Sequence, residues 1–187
     1  GSAPVALGLT GEHQVANALA AAAVALTVGM SLQAVATALG EARPLSRWRM
    51  EVHERADGVT VINDAYNANP DSMRAALKAL ATMGHGRRTW AVLGEMRELG
   101  PDSIIEHEAV GRLAVNLGVT RLVAVGDGTQ PVDLAARNAG ASLEESTWVP
   151  DIDAAHDLLR QRLAPGDVVL LKSSHDAGLR FLGDRLL

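Results

Sequence analysis

The chain has 187 residues, a formal net charge of −5 and 48% apolar residues, yet its aromatic residues are only Trp48, Trp90, Trp148, Tyr66 and Phe181. Such a composition excludes a disordered chain and calls for an aliphatic, alanine-rich core, which suits helices packed closely on a sheet. The absence of cysteine excludes a disulfide framework and a thiolate metal site, and the scattered basic residues argue against nucleic acid as a partner.

No apolar run nears the ~20 residues that cross a bilayer. The alanine-rich N-terminal segment is broken by His13, Gln14 and Asn17, with no basic region and cleavage site before it. A soluble cytoplasmic protein without membrane insertion is the expectation. Gly1-Ser2 reads as a cloning remnant, which would make the chain a deliberately cut piece.

Residues 11–28, GEHQVANALAAAAVALTV, have high helix propensity and are interrupted by Gly29. Ser31 caps a second expected helix, LQAVATALGEA, before Pro44 ends the helical register. Nothing in 1–46 alternates in the manner of a sheet. At Trp48 the pattern changes. RWRMEVHER alternates large and polar residues, ADG supplies a turn and VTVIND follows, which is a hairpin signature turning at Asp57-Gly58.

A strand–helix rhythm then takes over. Asn69 caps a helix over 70–83 that has Pro70 at its first position and stops at Gly84. TWAVLG, the loop EMRELGP and a helix from about Asp102 to Asn116 follow. RLVAVG leads to DGTQP and a helix near 131–139. A short strand at 146–149, a helix from Asp151, the strand DVVLL ending at Lys172 and a helix from Asp176 complete the chain. Strands separated by single helices run parallel through right-handed crossovers. The expected fold is α/β: a Rossmann-like, mostly parallel sheet with helices on both faces and one antiparallel edge strand, preceded by a short helical segment. The boundary falls between 1–46 and 47–187.

Ligands of such sheets bind beyond the carboxyl ends of the strands, here 63–69, 94–100, 126–130 and 172–175. In VTVINDAYNANPDSM, Asp64 is suited to a ribose or a metal-bound water, and the helix start at Pro70 offers backbone N–H groups to an anion. The plain alternative is capping, which accounts for Asn69 and Asp71 but needs neither Asp64, Tyr66 nor Asn67. GEMRELG sets Glu95 and Glu98 between glycines, as either a binding loop or a solvated one. Lys172, one of two lysines in the chain, is placed to meet a carboxylate or phosphate, or is simply exposed. Ser174, His175 and Asp176 are adjacent in sequence and form no triad. GDG at 126–128 has proline where a third glycine belongs and reads as a turn. Neither lysine stands in a Gly-Lys-Ser/Thr loop, so no P-loop is present.

NDAYNANPDSMRAAL, VLGEMRELG with His107 in the following helix, and GEHQVANALAAAAVA resemble the Mur ligase family over essentially the whole chain. Within the family, Asp-x-Tyr-Asn-x-Asn-Pro-x-Ser-Met points to the member that joins D-Ala-D-Ala to UDP-MurNAc-tripeptide. A sister ligase adding another amino acid and a non-catalytic nucleotide-binding module are the alternatives. The resemblance implies a three-domain enzyme. Residues 1–46 would be the last helices of its central ATPase domain and 47–187 its C-terminal domain, with the N-terminal and remaining central domains as partners.

It further implies ATP and Mg2+, both bound mainly by the central domain, and an acyl-phosphate intermediate. By position, His13 and Asn17 would border the adenine, and Arg47 would be the hinge arginine that reaches the phosphates. Asp64 would hold the ribose, with Tyr66 and Asn67 beside the nucleotide. Asn69, Ser72, Glu95, Lys172 and Ser173 would frame the peptide or dipeptide, and no metal ligand is assigned here. Gln14 and His175 depart from the family's usual asparagine and arginine. Without a P-loop, the chain alone is expected to be inactive.

Overall fold

The computed structural model describes residues 1–9, 13–43 and 46–187. Two compact units divide it, Gly1–Arg47 and Trp48–Leu187. The first holds α1 (His13–Thr27) and α2 (Leu32–Glu41), with the Ser31 side chain accepting the Ala34 N–H at 3.2 Å as N-cap. Among its described residues only Val35 and Ala36 are buried. The expected helix start at Gly11 and the stop at Pro44 lie outside the described residues.

In the second unit, β1 (Glu51–Glu54) and β2 (Thr60–Asn63) form the expected antiparallel hairpin. Then follow α3 (Pro70–Met83), β3 (Thr89–Leu93), α4 (Ser103–Asn116), β4 (Arg121–Val125), α5 (Gln130–Asn138), β5 (Ser146–Val149), α6 (Ile152–Arg162), β6 (Val168–Lys172) and α7 (Leu179–Arg185). The last helix starts later than Asp176. A single 3-10 turn at His175–Ala177 is followed by Gly178 at φ 77°, a left-handed conformation that interrupts helical continuity.

The six strands lie in the order β1-β2-β6-β3-β4-β5, and every pair except β1–β2 is parallel. From β2 through β5 the chain advances in one direction across the sheet, so right-handed crossovers put α3, α4 and α5 on one face. The step from β5 to β6 runs backwards and puts α6 on the other. Burial agrees with this geometry. Ala91 and Leu93 pack with Leu77, Val110 and Val132, whereas Trp90 and Val92 pack with Leu159 and Leu182. Strands β2, β3 and β6 are buried throughout, as strands covered on both faces must be.

The return of β6 into the gap between β2 and β3 matters most for the site. It brings the loops after β2, β6 and β3 side by side.

Candidate functional site

At the carboxyl edge of the sheet, backbone hydrogen bonds stitch three loops together. The Asp64 N–H donates to Leu171 O, Gly94 N–H to Lys172 O and Ser174 N–H to Glu95 O, each at 2.9 Å. The Ser174 hydroxyl accepts the Arg97 N–H at 2.9 Å and donates to Ala68 O at 3.5 Å, so one side chain touches the loops after β2 and β3. Glu98, at φ 64°, holds a left-handed conformation in the 94–100 loop, uncommon for a residue other than glycine.

Asp64 sits at the centre of this ledge. One oxygen, Oδ2, accepts from Lys172 Nζ at 2.7 Å, and Oδ1 accepts the Met50 N–H at 3.0 Å. Its side chain keeps 15% exposure. The neighbouring Tyr66 is 37% exposed, with the Arg49 guanidinium 4.3 Å from its ring centre and the His175 ring edge-on at 5.6 Å. Charges of both signs border it: Arg97 lies 3.5 Å from Glu95 and 3.6 Å from Asp176. An exposed ring with a cation over it, beside a carboxylate, is suited to a flat polar ligand.

The other expected site residues fall in distinct settings. Asn67 is exposed and offers its carbonyl to Lys172 at 2.9 Å. Asn69 and Ser72 form a reciprocal capping box at the start of α3, with Ser72 N–H to Asn69 Oδ1 at 2.8 Å and Asn69 N–H to Ser72 Oγ at 3.0 Å. Capping thus accounts for both. Glu95 stands against Gly128, where an added Cβ would meet the Glu95 carboxyl group at 2.8 Å. Lys172 is not the exposed lysine of the plain reading: it is 3% exposed and enclosed by protein oxygens. Ser173 is fully buried and donates to Ser174 O at 3.0 Å. The polar atoms of Lys172 and Ser173 thus meet protein groups at the carboxyl end of β6.

In the first unit, Asn17 is exposed and its amide donates to Gln14 Oε1 at 3.1 Å. Arg47 is exposed. The side chain of His13 lies outside the described residues.

Besides Arg49, Arg97 and His175, two contributors to the ledge were not among the expected site residues. Ser174 is one. The other is His107, fully buried on α4, whose Nε2 accepts the Met96 N–H at 3.0 Å while Nδ1 donates to Ser103 O at 2.7 Å. An acceptor at Nε2 means that the ring carries its proton on Nδ1. The histidine pins the loop that bears Glu95. Its helical spacing after ELG was visible in the sequence, but its partner, a backbone N–H, was not.

The metal ion implied by the resemblance finds no cage: among the described residues no three His, Cys, Asp or Glu side chains gather. Nor is any described helix long and apolar enough to cross a membrane.

A mostly parallel sheet covered by helices on both faces, with its loops gathered at the carboxyl edge, is a doubly wound α/β architecture. The family model described as Mur ligase, glutamate ligase domain, matches residues 48–175; the chain belongs to the Mur ligase family. It is 53% identical over 204 aligned residues to the UDP-N-acetylmuramoyl-tripeptide–D-alanyl-D-alanine ligase of Mycobacterium leprae, covering 100% of this chain and 39% of that protein. A crystal structure of MurF from Acinetobacter baumannii superposes with a TM-score of 0.86 at 30% identity, over 100% of this chain and 40% of that one. MurF from Thermotoga maritima in complex with ADP shares the fold, with a TM-score of 0.73 at 22% identity over 96% of this chain and 40% of that one. The chain thus spans about two fifths of the length of the curated relatives it matches.

Proposed function

We propose that this chain is the C-terminal part of an ATP-dependent amide ligase that joins D-Ala-D-Ala to UDP-MurNAc-tripeptide in peptidoglycan precursor synthesis. The observation that carries the reading is the meeting of Asp64, Tyr66 and the Glu95 loop on one ledge, in a chain similar along its whole length to ligases named for that reaction.

In this reaction the tripeptide carboxylate attacks the γ-phosphorus of ATP and ADP leaves. The amine of D-Ala-D-Ala then attacks the acyl carbon, and phosphate leaves. Catalysis rests on positioning and charge. Arg47 brings a permanent cation to the phosphates. Asp64 keeps lone pairs beyond its two protein contacts for the ribose hydroxyls, and Tyr66 and Asn67 flank the nucleotide. Glu95 offers a carboxylate to the dipeptide ammonium. His13 and Asn17 border the adenine. No step is assigned to Mg2+, since the described residues hold no ligand set for it.

The sequence carries no Gly-Lys-Ser/Thr loop, so the isolated chain is expected to bind ATP weakly or not at all and to turn over nothing. ATP hydrolysis by the purified chain would contradict this. In the full-length ligase, exchanging residues 48–187 for the matching region of a sister ligase is expected to change the amino acid that is added. Unchanged dipeptide choice overturns the reading.

A further inference from the structure

Lys172 is a buried cation whose three N–H donors are all directed at protein oxygens. They meet Asp64 Oδ2 at 2.7 Å, Asn67 O at 2.9 Å and Asp64 O at 3.5 Å, and the residue is 3% exposed. So enclosed, Nζ is turned to the protein and not to the open ledge. What the ammonium does instead is gather the loop between β2 and α3 from both ends of its polar stretch.

The consequence reaches the entry to the domain. Trp48 and Met50 hold φ values of 61° and 48°, a left-handed conformation that non-glycine residues keep only where their surroundings enforce it. Two of their backbone groups are held by the same loop: the Met50 N–H donates to Asp64 Oδ1 at 3.0 Å, and the Tyr66 N–H donates to Trp48 O at 3.0 Å. Asp64 therefore holds Lys172 with one oxygen and the strained backbone with the other.

We propose that Lys172 is a positioning residue: it touches no substrate, but through Asp64 it sets both the β2–α3 loop and the left-handed backbone at Trp48–Met50. Removing its charge leaves the Asp64 carboxylate uncompensated, and that carboxylate turns toward water and takes the acceptor of Met50 with it. The ligase reading bears only on the second readout below, where a displaced loop weakens ATP binding without touching the reacting atoms.

Amide hydrogen exchange on the chain itself tests the first part. In Lys172→Met the Met50 and Tyr66 amides are expected to exchange at least about tenfold faster, while Leu93 and Val123 in β3 and β4 keep their protection. Unchanged protection at Met50 and Tyr66, or equal acceleration at all four, overturns the inference. Because the chain has no cysteine, Lys172→Cys introduces a single thiol. Aminoethylation of that thiol in denaturant, followed by refolding, rebuilds the ammonium and is expected to restore protection at Met50. Failure to restore it overturns the inference too, and this comparison decides the matter if the methionine variant does not fold. In the full-length ligase, Lys172→Met is expected to raise the KM for ATP at least about tenfold with kcat within about threefold. A kcat loss at unchanged KM overturns it, whereas a parent enzyme without ligase activity sinks the function proposed above and leaves the exchange result standing.

Discussion

His107 shows how much a single buried group contributes to the ledge. It satisfies one loop N–H and one helix carbonyl, and it fills space against α4. Truncation in His107→Ala leaves the Met96 N–H without a partner and opens a cavity. Each effect costs about 1–3 kcal/mol. A fall in the urea midpoint is the expected outcome, with faster exchange at Met96 than at β3. Stability equal to the parent protein would show that the loop is held by other contacts. Asp64 carries two jobs at once, which is why its neighbourhood in the sequence looked overfull. Around it Asn69 serves a cap, Asn67 a carbonyl for Lys172, Tyr66 an exposed ring, and Asn63 donates to Arg180 O at 3.0 Å. Capping could be read from NPDS alone because its partners lie three residues apart. The ion pair with Lys172 spans more than a hundred residues and could not.

Among the elements, α4 and α5 pack closely. At Gly111 a Cβ would stand 2.1 Å from the Val132 carbonyl oxygen, so the two helices pack backbone to backbone. Gly111→Ala is expected to destabilise the domain by about 1–3 kcal/mol even though alanine has the better helix propensity, because overpacking outweighs the ~1 kcal/mol gained from propensity. Thermal unfolding checks this, and a raised Tm would contradict it. The glycine was visible within the expected helix, but nothing in the sequence said that a carbonyl faced it. The strands and helices were legible because their signals are local: buried runs in β2, β3 and β6, and caps at Ser31, Asn69 and Asp151. The start of α7 was misplaced because Gly178 adopts a left-handed turn that the preceding polar residues do not announce.

For the molecule as a whole, one source of acid sensitivity lies at the edge opposite the ledge, at Asp167. Burial pushes the Asp167 carboxyl up, but hydrogen bonds from the Arg88 guanidinium, the Ala164 N–H and the Trp90 indole outweigh it and hold the group below the ordinary carboxylate value. A pKa lower in the folded state means stabilisation that is present above the unfolded value, about 3.9, and is lost as pH falls through the folded value. Asp167→Asn is therefore expected to lower stability at neutral pH and to flatten the acid limb of a urea-midpoint curve below about pH 5. An acid limb identical to the parent's would show that other carboxylates dominate.

The two units are also expected to differ in resistance to proteolysis. With only Val35 and Ala36 buried among its described residues, the first unit is expected to yield to trypsin at the exposed Arg43 or Arg47 and leave a resistant fragment of 48–187. Earlier cleavage inside that fragment would contradict the division.

The element types and the parallel character of the sheet followed from sequence, because hydrophobic period, caps and turns act over a few residues and crossovers have one hand. Strand order did not follow from it. Only the tertiary structure inserts β6 between β2 and β3, since that choice depends on how the buried faces of helices on opposite sides fill space together. From that insertion come the burial of Lys172, its contact with Asp64 and the hold on Met50.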